Sequence, residues 1–333
     1  MMKGIKIYVI VMLLGLGVQG QDYHLSQYFS TPLLLNPSLT ANIDGPYRIT
    51  ANYRKQWWQN GFPYNTYTVG FENRILKNKL QDYSRLGYGL AILGDESLGG
   101  VYKNTTGLLS FAYHQPLDAE GYSSIGGGLQ FSYGTRSINF NRLYFESQFT
   151  SNGFNTSIPS GEVFQSQSKS IFDVNAGLVY TYNDGDNSFY VGSSVYNIRR
   201  PQYSYFSDSL SRIPMRLMLH GGANIYTSPD SDNKITMSFL AMQQAKATEL
   251  NIGLSYGVKV GNNYLYMGAF SRFKDAVYPY FSFQTQSVQV GLSYDVLTSD
   301  LKKSNPRRAS MELTFLIVRP DNSESRRFMP WNY

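Results

Sequence analysis

Phe172-Asp173-Val174-Asn175-Ala176-Gly177-Leu178-Val179-Tyr180-Thr181-Tyr182 is the stretch on which the fold turns. In an extended chain successive side chains point to opposite faces. Phe172, Val174, Ala176, Leu178, Tyr180 and Tyr182 then share one face, and Asp173, Asn175, Gly177 and Thr181 share the other. The same period of two runs through Ile125, Leu129, Phe131 and Tyr133, through Leu250, Ile252, Leu254, Tyr256 and Val258, and through Val288, Val290, Leu292, Tyr294 and Val296. Runs of this kind recur at 47–59, 62–76, 83–95, 101–116, 121–136, 169–183, 187–198, 212–227, 233–245, 247–260, 263–273, 275–285, 286–298 and 308–319. Alternating segments of about ten residues separated by turns are the sequence signature of a transmembrane β-barrel with a greasy outside and a polar inside. The expected fold is all-β: a transmembrane antiparallel β-barrel of about 14 strands over residues 47–319.

Composition agrees with that class. The chain has 333 residues, 42% of them hydrophobic, with a mean hydropathy of -0.31, as expected when the lumen is polar. Aromatic residues make up 15%, with 28 Tyr and 20 Phe, and many stand near strand ends, where girdles meet lipid headgroups. The formal charge of +6 is spread over strands and loops without a basic helix or stripe, so nucleic acid is not an expected partner. The absence of cysteine excludes disulfides, thiolate metal sites and a lipidated N-terminus.

Ahead of the first strand, Lys3 and Lys6 precede or border an apolar core from Ile7 to Val18, followed by Gln19-Gly20. This order of charged, apolar and small residues reads as a secretory signal peptide over 1–20, too short to span a bilayer at about 20 residues. Residues 21–46 then form an N-terminal plug or docking segment, and 320–333 a C-terminal tail. Turn residues such as Asn183-Asp184-Gly185-Asp186 and Gly261-Asn262-Asn263 favour tight reversals. Two links are longer, Ser137 to Lys169 and Arg199 to Ser211, and long loops on such barrels either face outward and carry recognition or fold over the pore as plugs.

Catalytic chemistry finds no constellation. His114 and His220 fall on polar-facing strand positions and His24 in the N-terminal segment, with no Gly-x-Ser-x-Gly elbow or acidic pairing beside them. Gly126-Gly127-Gly128 and Gly221-Gly222 fit close packing within a wall rather than a phosphate loop, which needs a helix. No catalytic residue, cofactor or metal is expected, and the protein is read as a non-enzyme.

The most specific signal lies in His24-Leu25-Ser26-Gln27-Tyr28-Phe29-Ser30-Thr31-Pro32-Leu33-Leu34-Leu35-Asn36-Pro37-Ser38, followed by Arg54-Lys55-Gln56-Trp57-Trp58 and Gly61-Phe62-Pro63. Pro32 and Pro37 fix φ and disfavour helix before them, and Leu33 to Leu35 require burial. In order and spacing this opening resembles the PorP/SprF family of outer-membrane proteins linked to type IX secretion and gliding motility. Matches continue through Gly87-Tyr88-Gly89-Leu90, Ala112-Tyr113-His114, Gly127-Gly128-Leu129-Gln130 and Gly291-Leu292-Ser293-Tyr294-Asp295, with departures at Ser38–Ala41 and Arg308–Glu312. The resemblance implies an outer-membrane location and a family motif with possible docking residues Ser26, Gln27, Tyr28, Pro32, Asn36, Pro37, Arg54, Gln56, Trp57 and Pro63. It also implies partners: periplasmic secretion-ring components or outer-membrane lipoproteins, an exported adhesin or its C-terminal domain, and outer-membrane lipids.

The implied role is a barrel that anchors periplasmic machinery or binds an exported surface protein. Two alternatives stay open, a passive or substrate-specific pore and an adhesion or structural scaffold whose long loops bind extracellular ligands. Arg48, Asn52, Arg54, Gln56, Glu72, Arg74, Gln130, Asp173, Asn175, Arg216, Glu249 and Asn251 are lumen candidates. Their mixed charge favours a hydrogen-bonded interior over a selective ring of one sign.

Overall fold

The computed structural model describes residues 24–319, apart from 44, 59–62, 78, 156, 162–166, 186, 206–210, 229–230 and 300–308. The expected signal peptide, residues 21–23, Gly61-Phe62 and the tail 320–333 lie outside the described residues.

Sixteen strands follow one another: β1 (Tyr47–Gln56), β2 (Tyr64–Ile75), β3 (Arg85–Ser97), β4 (Tyr102–Pro116), β5 (Ser123–Ile138), β6 (Phe149–Thr150), β7 (Gly153–Phe154), β8 (Ser168–Asn183), β9 (Asn187–Tyr196), β10 (Arg216–Ser228), β11 (Ser231–Gln244), β12 (Ala247–Val260), β13 (Asn263–Arg272), β14 (Ala276–Gln284), β15 (Val288–Leu297) and β16 (Ala309–Val318). Fourteen of them form a closed antiparallel barrel in which each strand pairs with its neighbours in sequence and β1 closes on β16. Closure removes every sheet edge, which hydrocarbon requires because it offers no partner to an unpaired backbone group. β6 and β7 form a separate hairpin in the β5–β8 link. Their two-residue strands are too short to show any alternation in sequence.

The side-chain pattern follows the period of two. Leu90, Ile92, Leu109, Phe111, Leu129, Phe131, Leu178, Leu219, Ile252, Leu254 and Phe315 are exposed on the outside, a contiguous apolar surface far larger than a soluble monomer shows. Of the lumen candidates, Arg48, Asn52, Arg54, Glu72, Arg74, Gln130, Asp173, Asn175, Arg216 and Asn251 are buried inside, and Gln56 and Glu249 are half-buried. Lys55, on the outward face, is the next-to-last residue of β1, and the β1 pairings run without a register break. The strand end, not a bulge, accommodates its charge.

The tyrosine excess has a second use besides girdles. Tyr190, Tyr196, Tyr266, Tyr278 and Tyr280 turn inward and form a core with Phe270, Met218 and Leu240. The long links β5–β8 and β9–β10 leave from one end of the barrel, here the long-loop end. Tight reversals, the start of β1 and the end of β16 mark the short-turn end. No helix among the described residues is long and apolar enough to cross a membrane.

Candidate functional site

Residues 24–43 lie inside the barrel as three single-turn elements: a 3-10 turn at Tyr28–Ser30, α1 (Pro32–Leu35) and a 3-10 turn at Pro37–Leu39. Pro32 and Pro37 each open a turn at the first position, where the missing N–H costs nothing. Asn36 caps the last one by accepting from the Ser38 N–H at 2.9 Å.

The segment touches every barrel strand. His24 meets Glu249 of β12, and Ser26 meets Arg54 of β1, Arg272 of β13 and Asp295 of β15. Gln27 reaches β16, Tyr28 bonds Ser238 of β11 at 2.9 Å, and the Phe29 ring packs on Tyr280 of β14. Further along, Gln130 of β5 donates to Leu33 O, Ser194 of β9 donates to Leu35 O, and Asn36 reaches Leu178 O of β8 and His220 of β10. Thr40 bonds Ser110 of β4, Ala41 N donates to Glu72 of β2, and Arg85 of β3 donates to Ile43 O. Twenty residues thus brace fourteen strands from within.

At the long-loop end the contacts are ionic. Arg54 Nη2 lies 2.7 Å from Asp295 Oδ2, and Arg54 Nη1 lies 3.1 Å from Glu312 Oε2 and 2.6 Å from Ser26 Oγ. Glu312 also accepts from the Ser26 N–H at 2.7 Å, the Gln27 N–H at 3.0 Å and Asn52 Nδ2 at 2.7 Å. Arg54 and Glu312 are 2% and 0% exposed, so both depend on these partners for the stabilisation that water would otherwise supply. Because Arg54 belongs to β1 and Glu312 to β16, the pair stands on the closing seam of the barrel.

Midway down, the Asn36-Pro37 pair docks on a patch of glycines. Asn36 Nδ2 is 3.0 Å from Leu178 O, 3.1 Å from Ser193 O and 2.9 Å from His220 Nε2. A Cβ at Gly177 would fall on Asn36 Oδ1, and one at Gly128 on the Pro37 carbonyl and Ser38 N. Gly128 and Gly177 are directly paired partners on β5 and β8, so their missing side chains make one recess. Gly177→Ala is expected to lower stability by about 1–3 kcal/mol through overpacking. Gly127→Ala, whose Cβ would have only Leu178 Cδ2 nearby at 3.7 Å, should change it by less than about 0.5 kcal/mol. The temperature at which the folded band is lost in semi-native electrophoresis compares the two, and equal values would refute the docking recess.

The ten motif residues are therefore not one cluster. Ser26, Gln27 and Arg54 converge on Asp295 and Glu312; Tyr28, Asn36 and Pro37 meet other strands, and Pro32 opens α1. Gln56 and Trp57 line a cavity at the long-loop mouth, and Pro63, half-buried in the β1–β2 link, joins none of these contacts among the described residues. The acceptors Asp295 and Glu312 and the donor Arg272 were not singled out by sequence as lumen residues. All three stand at inward positions of their alternating runs, which is the signal that marks them. At the Ser38–Ala41 departure, Ala41 adopts φ 55°, a left-handed conformation that favours glycine, and its Cβ packs into the space left by Gly87.

A family model described as "Type IX secretion system membrane protein PorP/SprF" matches residues 17–315. A comparison with curated proteins finds no match. Among solved structures, the TodX deltaS2S3 mutant monoaromatic hydrocarbon channel superposes with a TM-score of 0.52 at 9% identity, over 86% of this chain and 92% of its own. The CymD monoaromatic hydrocarbon channel gives 0.48 at 10% identity, over 91% and 95%. A Pseudomonas aeruginosa FadL homologue gives 0.45 at 11%, over 85% and 92%. At 9% identity, the likeness to the TodX structure is likeness of fold alone.

Proposed function

The chain belongs to the PorP/SprF family of type IX secretion system membrane proteins, and from that premise we propose that it is a non-conducting outer-membrane anchor that holds a partner of the secretion system. The partner is a periplasmic secretion component or an exported surface protein, recognised rather than chemically altered. The observation that carries this reading is the bracing of all fourteen strands by residues 24–43. A bore occupied by a segment whose Gln27, Asn36 and Thr40 bond β16, β8 and β4 on different sides of the wall suits a rigid docking body better than a solute channel. The neighbouring channel structures share its fold but carry no weight for transport here.

The test is affinity purification of the full chain from cells in mild detergent, followed by mass spectrometry. Co-elution of periplasmic secretion components or of one large exported protein is the expected result. A barrel that elutes alone, and passes steady current in planar bilayers, would instead establish the pore alternative.

A further inference from the structure

The segment inside the barrel has a direction. Ser26 and Gln27 touch Arg54, Arg272, Asp295 and Glu312, all at the long-loop ends of their strands. Asn36 lies midway, and Ala41 and Ile43 touch Glu72 and Arg85 at the short-turn end. The chain therefore descends the bore before turning back up as β1. Its first described residue, His24, stands at the long-loop mouth.

There a cavity of about 430 Å³ is lined by His24, Glu249, Arg272, Asp275, Trp57 and Phe273. His24 Nδ1 lies 2.5 Å from Glu249 Oε2, while Glu249 Oε1 accepts from Asn251 at 2.5 Å and faces Arg272 Nε at 3.6 Å. Arg272 also pairs with Asp275 at 2.8 Å and approaches Asp295 at 3.6 Å. In this network Arg54 and Arg272 face four carboxylates: Asp295, Glu312, Glu249 and Asp275. Carboxylates outnumber guanidiniums in it, and the chain's own His24 side chain meets Glu249 at the cavity wall.

We propose that this cavity is a binding site for the basic side chain of a polypeptide arriving at the long-loop mouth, with His24 as its resident occupant. An arginine or lysine entering between Trp57 and Phe273 gains ring faces as well as the carboxylates, and takes the place of His24 on Glu249. Displacing His24 loosens the first anchor of the segment and leaves the Ser26 and Gln27 anchors in place. The inference rests on the cavity and not on the secretion reading, so either can fail without the other.

Purified full-length protein is titrated with acetyl-Gly-Arg-Gly-amide, with acetyl-Gly-Gln-Gly-amide as control, and binding is read by calorimetry and tryptophan fluorescence. The arginine peptide should bind and the glutamine peptide should not. His24→Ala should bind the arginine peptide about tenfold more tightly, because a competing occupied state is removed. Asp275→Asn, on a residue 35% exposed and so expected to fold normally, should bind it several-fold more weakly. Equal binding of both peptides, or no gain in His24→Ala, overturns the proposal. The cysteine-free chain allows a second check on intact cells with a membrane-impermeant maleimide. With the long-loop mouth facing outward, His24→Cys should be labelled and Ala41→Cys protected, and the reverse pattern would refute a site open to a polypeptide outside the cell.

Discussion

Glu312→Leu is expected to destabilise the barrel by about 3–5 kcal/mol, the range for removing one partner of a buried ion pair. The carboxylate is fully buried and receives four hydrogen bonds, from Ser26 N, Gln27 N, Asn52 and Arg54. Leucine strands two backbone N–H groups and leaves Arg54 with Asp295 as its remaining direct carboxylate partner. Each stranded donor adds a cost of about 1–3 kcal/mol, although the segment can shift to recover part of it. Because Glu312 links β1, β16 and the lumen segment, the loss should be felt at the seam first. Unfolding in urea, followed by tryptophan fluorescence in lipid vesicles, measures it. The double variant Arg54→Met with Glu312→Leu should be more stable than Glu312→Leu alone, since it removes the unpaired buried charge. A Glu312→Leu barrel as stable as the parent would mean the network contributes nothing to closure.

The second large effect concerns the bore. Deleting residues 24–43 while keeping residues 1–23 and β1 onward removes the segment groups that His114, Gln130 and His220 bond and opens the interior. An emptied barrel of fourteen strands encloses a lumen wide enough for water and ions. The expected result is large, steady single-channel current from the deletion protein and none from the parent. Should the deletion protein fail to assemble, the milder pair Asn36→Ala and Gln27→Ala provides the same comparison, with brief openings as the expected trace. Comparable current from the parent and the variants would overturn the anchor reading.

Much of this molecule was legible from residue order. All fourteen alternating runs correspond to barrel strands, most within two or three residues of the observed ends, because the alternation that signals a strand is itself the reason the strand has one greasy and one wet face. Phe172 to Asn183 reads the same way in both. Starts and ends shifted where turn geometry competes with pattern: the run expected from 212 begins as β10 at Arg216, after Pro214, since proline cannot donate to a ladder. The hairpin β6–β7 leaves no signature in the sequence because two residues cannot display a period. For the lumen, sequence placed Arg54, Glu72 and Gln130 inside but could not pair them.

What residue order determined by itself is the wall and the identity of the segment, for both are written in local features: a period of two, proline and asparagine at turn positions, and a motif of fixed spacing. What only the tertiary structure decided is which partner each inward group meets and which way the segment runs. Arg54 and Glu312 are 258 positions apart, and Ser26 and Asp295 269. No local pattern couples residues so distant; closing β1 on β16 around residues 24–43 brings them within hydrogen-bonding reach, and the cost of burying unpaired charge then selects the pairing.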